Sequence, residues 1–255
     1  MDDAWASLRR YTSARIALGR SGGSLLTAEW LAFSMAHADA RDAVHSRLDV
    51  DVLERDLAPL GLPLVRLHSD APDRIAYLQR PDLGRRLDGP SREQLAGLNA
   101  TACDVAIIIA DGLSALAAQR QSPALLREWL PLLRESSFTL APLVVVLHGR
   151  VALEDEIGSL LRASAAVILI GERPGLGSPD SLGAYLVFNP KPGNTDADRN
   201  CVSNIRAEGL SQSAAARTLH YLLTESLRRK ISGVRLKDDR PQLPGSVSNA
   251  DALPP

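Results

Sequence analysis

VAIIIA, at residues 105–110, is apolar at every position and rich in β-branched side chains. Two further runs have the same character, LVVVL at residues 143–147 and AVILI at residues 166–170. A strand that helices cover on both faces needs apolar side chains at every position, because neither face meets water. The three runs therefore predict three strands that are buried on both faces.

Helical patterns separate these runs. They cover residues 113–134, where we expect a break at Pro123, and residues 153–163. LVRLH at residues 64–68 predicts an earlier strand, and YLVF at residues 185–188 predicts a later one. Strands that alternate with helices predict a parallel sheet with right-handed crossovers. The predicted fold class is α/β, with a Rossmann-like parallel sheet flanked by helices and preceded by a small helical N-terminal domain.

The segment before the first strand predicts helices. Thr27 is a suitable N-cap, and Glu29 follows in the first turn, where a carboxylate suits the helix dipole. Apolar residues then recur at steps of three or four and give the helix a stripe made of Trp30, Phe33, Ala36, Ala40, Val44 and Leu48. A second helix is predicted over residues 51–60, before Gly61. We therefore expect a helical N-terminal region at residues 1–60.

The predicted α/β domain spans residues 61–236. Ser91 and Gln94 form a capping box for one of its helices. In its last helix an apolar stripe extends to Ile231, and Gly233 supplies a stop signal. The polar, proline-rich residues 237–255 have too few apolar side chains to fold alone, so they predict a flexible C-terminal tail.

The composition argues against several classes of protein. The 255 residues carry a formal net charge of −1, and 45% of them are hydrophobic, which is typical of globular proteins. Nucleic-acid-binding proteins normally carry an excess of basic residues, and a membrane helix needs about 20 consecutive apolar residues. Neither pattern occurs. We therefore expect neither nucleic acid nor a membrane as a partner.

Cysteines and histidines are few. Cys103, Cys201 and five scattered histidines form no CxxC motif and no recognisable ligand spacing. The sequence thus predicts neither a disulfide scaffold nor a metal site, and this usage is typical of the reducing bacterial cytosol.

Three turns are candidates for contact with a ligand. In an open parallel sheet, ligands bind beyond the carboxyl ends of the strands. At these ends the sequence has DG at residues 111–112, HGRV at residues 148–151 and GER at residues 171–173. Each turn contains a glycine, which lets a ligand approach the backbone. The same residues also suit ordinary tight turns, so both interpretations stay open for each turn.

No residue is assigned a catalytic role. Neither GxGxxG nor GxxxxGK[ST] occurs, which disfavours a nucleotide-dependent oxidoreductase. Ser114 follows a strand but does not lie within GxSxG. His148 is the best-placed acid–base candidate, and Cys201 is either a nucleophile or a small hydrophobe. The chain thus shows no catalytic centre of its own.

These segments belong to longer stretches that resemble the light (small) chain of ethanolamine ammonia-lyase. The two most specific stretches are GERPGLGSPDSLG at residues 171–183 and RNCVSNIR at residues 199–206. Together the similar stretches reach nearly from end to end; the others include residues 12–49, YLQRPDLGRRL at 77–87, DVAIIIADGLSALA at 104–117 and SGVRLKD at 232–238.

The resemblance implies one subunit of an ammonia-lyase, a carbon–nitrogen lyase that uses adenosylcobalamin. Homolysis of the cobalt–carbon bond would start the radical chemistry that converts ethanolamine, a vicinal amino alcohol, to acetaldehyde and ammonia. In this family the large (heavy) chain holds the substrate, and the small chain covers the cobalamin at the interface between them. The resemblance therefore implies a hetero-oligomer in the bacterial cytoplasm, with an ethanolamine-utilisation microcompartment as an alternative address.

Three cofactor-binding residues carry over from the family, namely Val151 in HGRV, Glu172 in GERPGL and Cys201 in RNCVSN. A carboxylate such as Glu172 accepts hydrogen bonds well from the amides of a corrin rim. The motif DxHxxG, whose histidine replaces the cofactor's own base on cobalt, is absent. We therefore expect the cofactor to be bound base-on. The alternative is a non-catalytic α/β assembly module that does not contact the cofactor.

Overall fold

The computed structural model describes residues 6–12 and 14–240. A six-stranded sheet forms its centre, with the strand order β1-β3-β2-β4-β5-β6. The strands are Leu64–His68 (β1), Cys103–Ala110 (β2), Leu143–Leu147 (β3), Ala163–Gly171 (β4), Leu182–Phe188 (β5) and Arg199–Ile205 (β6). The first four strands are parallel, whereas β5 is antiparallel to β4 and β6. The predicted α/β class is confirmed.

Helices cover both faces of the sheet. The helices in the described part of the chain are Thr27–His45 (α1), Val50–Leu57 (α2), Arg74–Gln79 (α3), Gly89–Gly97 (α4), Ala115–Glu135 (α5), Leu153–Leu160 (α6) and Gln212–Arg229 (α7). Ile107 and Ile109 of β2 belong to a core shared with α5 and α7. Ala106 and Ile108 belong to a second core, shared with α4 and α6. This alternation explains why every position of the strand is apolar.

The expectation of a parallel sheet is wrong for the last two strands. A parallel pair needs a crossover of a dozen or more residues, usually a helix. The connection between β4 and β5, residues 172–181, contains no helix, and the next connection contains only the short 3-10 turn Asp196–Asp198. Because the chain cannot cross back over the sheet in so short a span, both strands pair antiparallel.

The predicted helix break at Pro123 does not occur. Helix α5 continues through Pro123 and Pro131. An interior proline costs a helix about 3 kcal/mol through a lost hydrogen bond and a steric clash. Leu126, Trp129 and Leu130 are almost completely buried beyond Pro123. Their burial offsets that cost and holds the helix together on both sides of the proline.

Two predicted helix signals act differently in the structure. The cap of α4 is Asp88, whose carboxylate accepts from Ser91 N, while the Ser91 hydroxyl accepts from His68 N. Helix α7 ends at Lys230, which adopts a left-handed conformation with φ 58°. Gly233 begins the following 3-10 turn, Gly233–Arg235. The predicted start of α4 and the predicted end of α7 therefore lie close to the observed ones, but the predicted capping residues are wrong.

The chain divides into two compact units, residues 40–238 and residues 1–39 together with 239–255. The whole sheet lies in the larger unit. Within the smaller unit, Trp30 is 57% exposed, so the first half of the predicted apolar stripe does not enter a core. The predicted domain boundaries stay a prediction, and residues 241–255 of the predicted tail lie outside the described residues. None of the helices in the described ranges has the length and apolar character needed to cross a membrane.

Candidate functional site

Two adjoining cavities border the turn that follows β3, at residues 150–152. The first, which we call the glutamate cavity, measures about 450 Å³ and is lined by Tyr77, Leu113, Arg150, Val151, Ile170, Gly171, Glu172, Arg173 and Tyr185. The second, the arginine cavity, measures about 510 Å³ and is lined by Pro81, Arg85, Arg150, Val151, Ala152, Tyr185, Asn194, Thr195, Asp196 and Arg199. Arg150, Val151 and Tyr185 line both, so the two form one double cavity. The glutamate cavity lies at the carboxyl ends of β3 and β4, where ligands bind in an open parallel sheet, whereas the arginine cavity extends to residues 194–199.

Two glycines bring the turns after β2 and β4 into backbone contact. Gly112 has a φ of 55°, which favours glycine, and a Cβ on it would lie 2.3 Å from the Gly171 carbonyl oxygen. Leu113 N donates to the same oxygen at 2.8 Å. The start of the GER turn is thus fixed by main-chain contacts, and Glu172 follows directly at the cavity wall.

Glu172 is oriented by hydrogen bonds to one of its carboxylate oxygens. Oε2 accepts from Ser181 Oγ at 2.5 Å and from Asn204 N at 3.2 Å. Gly183 leaves space for the side chain, because a Cβ there would lie 2.9 Å from Oε1. Among the described residues, Oε1 accepts no hydrogen bond, and no lysine or arginine pairs with the carboxylate. Glu172 therefore offers a fixed acceptor to a ligand.

The HGRV turn is held by the stretch at residues 77–87. Arg150 N donates to Gly84 O at 2.7 Å, and Tyr77 Oη donates to Gly149 O at 3.2 Å. A Cβ on Gly84 would meet Arg150 Cγ at 2.8 Å, so only glycine allows this packing. These contacts fix Val151, which adds an apolar surface to both halves of the double cavity.

Cys201 does not line either cavity. It lies on the edge strand β6, directly opposite Tyr185, and is exposed. Desolvation around the thiol raises the pKa of Cys201, although its hydrogen bond to Tyr185 acts in the opposite direction. A thiol with a raised pKa is a poor nucleophile and a poor metal ligand at neutral pH. The structure thus brings Val151 and Glu172 together and places Cys201 one strand away, behind Tyr185.

A buried ionic cluster connects the turn at Val151 with strand β6. Arg199 Nε donates to Glu154 Oε1 at 2.5 Å, and Arg199 Nη2 donates to Asp155 Oδ2. Burial raises the pKa of Glu154 to about 8; Arg199 lowers that pKa and Asp155 raises it. Burial also raises the pKa of Asp155, and Arg199 lowers it, so Arg199 favours the ionised form of both buried carboxyl groups. The cluster anchors β6, and with it Cys201, to the start of α6.

The other candidates from the sequence lie elsewhere. His148 and Asp111 line a separate cavity of about 250 Å³ next to Arg74. Desolvation lowers the pKa of His148, whose Nδ1 is 3.2 Å from Ala71 O. Burial raises the pKa of Asp111 to about 6, although Arg74 favours its ionised form. Neither residue faces the double cavity.

Ser114 has a structural role. Its Oγ donates to Pro179 O at 2.7 Å and accepts from Ala117 N at 3.1 Å as the N-cap of α5. Both interactions occupy the hydroxyl group, so it is not placed as a nucleophile. Within the described ranges, no group of three His, Cys, Asp or Glu side chains is arranged to hold a metal ion.

Several residues of the double cavity were not identified from the sequence. Arg150 was part of a predicted turn, but its guanidinium packing 4.2 Å from the ring centre of Tyr77 was not foreseen. Tyr185 lay in a predicted strand and carried no signal that distinguished it from a core residue. Arg85 and Tyr77 belong to YLQRPDLGRRL at residues 77–87, and the family resemblance of this stretch was the only signal for them in the sequence.

Comparisons with known proteins identify close relatives over nearly the whole chain. The family described as ethanolamine ammonia-lyase light chain matches residues 2–237. A protein of Xanthomonas campestris pv. campestris, named ethanolamine ammonia-lyase small subunit, is 54% identical over 99% of this chain and 94% of its own length. Proteins with the same name from Pseudomonas putida and Azotobacter vinelandii are each 54% identical over 93% of this chain and 89% of their own length.

Proposed function

This chain belongs to the ethanolamine ammonia-lyase light-chain family, and we propose on that premise that its double cavity forms half of an adenosylcobalamin site. As a small subunit it is one component of an ammonia-lyase complex and has a large-subunit partner. The observation that carries the proposal is that Val151 and Glu172 line the same cavity. The other half of the site would come from the large subunit, at the interface between the two chains.

The size and chemistry of the cavity fit part of a corrinoid. Sites that enclose drug-sized ligands measure roughly 300–1,000 Å³, and a corrinoid is larger than such ligands. Cavities of about 450 and 510 Å³ can therefore cover one side of the cofactor. The free Oε1 of Glu172 suits the N–H groups of the neutral corrin amides, and Val151 suits an apolar part of the ring.

When bound, adenosylcobalamin supplies the radical chemistry, begun by cobalt–carbon homolysis, that deaminates ethanolamine to acetaldehyde and ammonia. The residues of this chain bind and orient the cofactor and keep water away from it. Glu172 would hold a corrin amide, and Tyr185, which lies opposite Cys201 in the sheet, lines both cavities. The family resemblance assigns the substrate to the large subunit.

The remaining predictions, on the sheet, Cys201, the base-on state and the location, rest on the same family membership. The four parallel strands would act as a Rossmann-like platform that presents the HGRV and GER turns to the cofactor. Cys201 would belong to the wall behind Tyr185. Base-on binding, the cytoplasmic location and the microcompartment address stay predictions.

The proposal is tested by corrinoid binding to the complex reconstituted from this chain and the large subunit. We expect Glu172→Ala to weaken cobalamin binding about tenfold, because a hydrogen bond to a charged group contributes roughly 1.5–3 kcal/mol. Glu172→Gln keeps an acceptor oxygen and should lose less. The absorbance of bound corrin measures the titration.

Glu135→Ala, which removes an exposed carboxylate from α5, is the matched control and should leave the titration unchanged. If Glu172→Ala behaved like Glu135→Ala, Glu172 would not be at the cofactor. A complex that assembles but carries no corrin would favour the alternative, an assembly module without contact to the cofactor.

A further inference from the structure

Two arginines of the arginine cavity have no carboxylate partner. Among the described residues, neither Arg85 nor Arg150 forms an ion pair, although both line the arginine cavity. Arg85 is exposed, and its side chain makes no hydrogen bond within the described part of the chain. Charged groups left unpaired in a cleft indicate a ligand of opposite charge.

Arg150 is held in a fixed orientation. Its guanidinium lies 4.2 Å from the centre of the Tyr77 ring, and its Nη2 donates to Tyr77 O at 3.1 Å. Gly84 packs against the side-chain stem. Nη1 donates to no described residue and stays available at the cavity. A pre-oriented guanidinium loses little conformational freedom when it binds an oxyanion.

The carboxyl groups beside the arginine cavity accompany Arg199. Its partners are the buried Glu154 and Asp155 and the exposed Asp196, which lies 3.7 Å from Arg199 Nη1. Arg85 and Arg150 form no ion pair among the described residues. A negatively charged ligand group would therefore meet two guanidinium groups that no carboxylate contacts.

Cobalamin has one such group. Its corrin side chains are neutral amides, whereas the nucleotide loop contains a phosphodiester with a single negative charge. We infer that Arg150, together with Arg85, binds the phosphodiester of the nucleotide loop in the arginine cavity. Since Nε of Arg150 is buried and Nη2 donates to Tyr77 O, Nη1 would donate to a phosphate oxygen in a charge-assisted hydrogen bond. The inference rests on the proposed function and assigns an orientation to the cofactor.

The glutamate cavity is less suited to the phosphodiester. Arg173 also has no ion-pair partner among the described residues, but it adjoins Glu172, whose carboxylate is likewise without a cation. Arg150 borders both cavities, so its charge does not distinguish them, but the Glu172 carboxylate would repel a phosphodiester and accept hydrogen bonds from neutral amides. The corrin would thus lie against Glu172, and the nucleotide loop would extend past Val151 to Arg150.

Cobinamide, which has the same corrin ring and amides but no nucleotide loop, separates the two ends of the cofactor. Hydroxocobalamin and the corresponding cobinamide are titrated into the reconstituted complex and followed by absorbance. Arg150→Gln should weaken cobalamin binding roughly tenfold to a hundredfold and leave cobinamide binding within about twofold. Arg85→Ala, at an exposed position without packing partners, should show a smaller loss with the same selectivity.

The controls distinguish this inference from the proposed function. Arg150→Lys should retain part of the cobalamin affinity, and Arg127→Ala, on the exposed side of α5, should change neither titration. The phosphodiester assignment would be overturned if Arg150→Gln lost affinity equally for both corrinoids or lost none for either. It would also be overturned if the complex no longer assembled. A wild-type complex that bound neither corrinoid would instead overturn the proposed function.

Discussion

At the scale of single residues, the fit between Gly183 and Glu172 determines where the free carboxylate oxygen lies. Gly183 is buried in β5, and a Cβ on it would be 2.9 Å from Oε1 and 3.1 Å from Cγ of Glu172. Such contacts are too close for carbon, so the carboxylate would have to move. The glycine of SPDSLG is therefore as much a part of the site as the glutamate of GERPGL.

We expect Gly183→Ala to displace the Glu172 carboxylate and to weaken cobalamin binding by the reconstituted complex about tenfold. This loss of affinity corresponds to a misplaced hydrogen bond to a charged group. Gly177→Ala is the matched control, because a Cβ at Gly177 meets no atom within 4 Å. Titrations of the two variants should differ. Equal affinities would show that the position of the carboxylate does not depend on Gly183.

Part of the site could be found from the sequence at this scale. Glu172 and Val151 follow strands that the apolar runs predicted, so both were expected at the ligand edge. Tyr185 was not, and for Arg150 the turn was expected but its role was not, because both depend on contacts between distant segments, such as Arg150 with Gly84. A single sequence carries no signal for such contacts.

At the scale of elements, the N-cap of α5 connects the two turns that bound the glutamate cavity. Ser114 is fully buried and bonds both to Ala117 N, at the start of α5, and to Pro179 O, in the connection that follows Glu172. Loss of its hydroxyl removes the cap and leaves a buried carbonyl without its donor. Both effects destabilise the folded chain.

Ser114→Ala should lower the free energy of unfolding by about 1–3 kcal/mol, as measured by urea denaturation of the full chain. Ser211→Ala is a suitable comparison because Ser211 also caps a helix, α7, through a longer 3.3 Å bond to Ala214 N at an exposed position. We expect a loss of under about 1 kcal/mol there. Similar losses for both variants would mean that the bond to Pro179 contributes nothing.

The elements also differ in how well the sequence predicted them. β1 and β3 have the predicted bounds; β3 is apolar throughout, and in β1 the exposed Arg66 alternates with the buried Val65 and Leu67. β6 was not predicted, since RNCVSNI alternates between buried Val202 and exposed polar residues on an edge strand. Its place in the sheet depends on pairing with β5 and on the buried bonds of Arg199, which are long-range interactions.

At the scale of the whole molecule, the raised pKa of Glu154 makes stability depend on pH. Burial raises the pKa of Glu154 from 4.5 to about 8. Between these values the folded chain binds a proton that the unfolded chain releases, so the free energy of unfolding falls as the pH rises. Desolvation lowers the pKa of His148 and His220 from 6.5. Neither histidine therefore adds much to the pH dependence of the free energy of unfolding above neutral pH. Burial raises the pKa of Asp111 only to about 6. Between pH 7 and 8, Glu154 therefore dominates.

We expect the free energy of unfolding of the full chain to decrease between pH 7 and pH 8, with a slope of at most about 1.4 kcal/mol per pH unit. Glu154→Gln imitates the protonated side chain and keeps an acceptor for Arg199, so this variant should have a much flatter profile. Glu156→Gln, in the same helix, leaves Glu154 in place and should keep the wild-type slope. Denaturant titrations at three pH values compare the slopes. If Glu154→Gln retained the wild-type slope, Glu154 would be ionised in the folded chain. Arg199 would then contact two buried negative charges, from Glu154 and Asp155, and these would strengthen the attachment of β6 to α6.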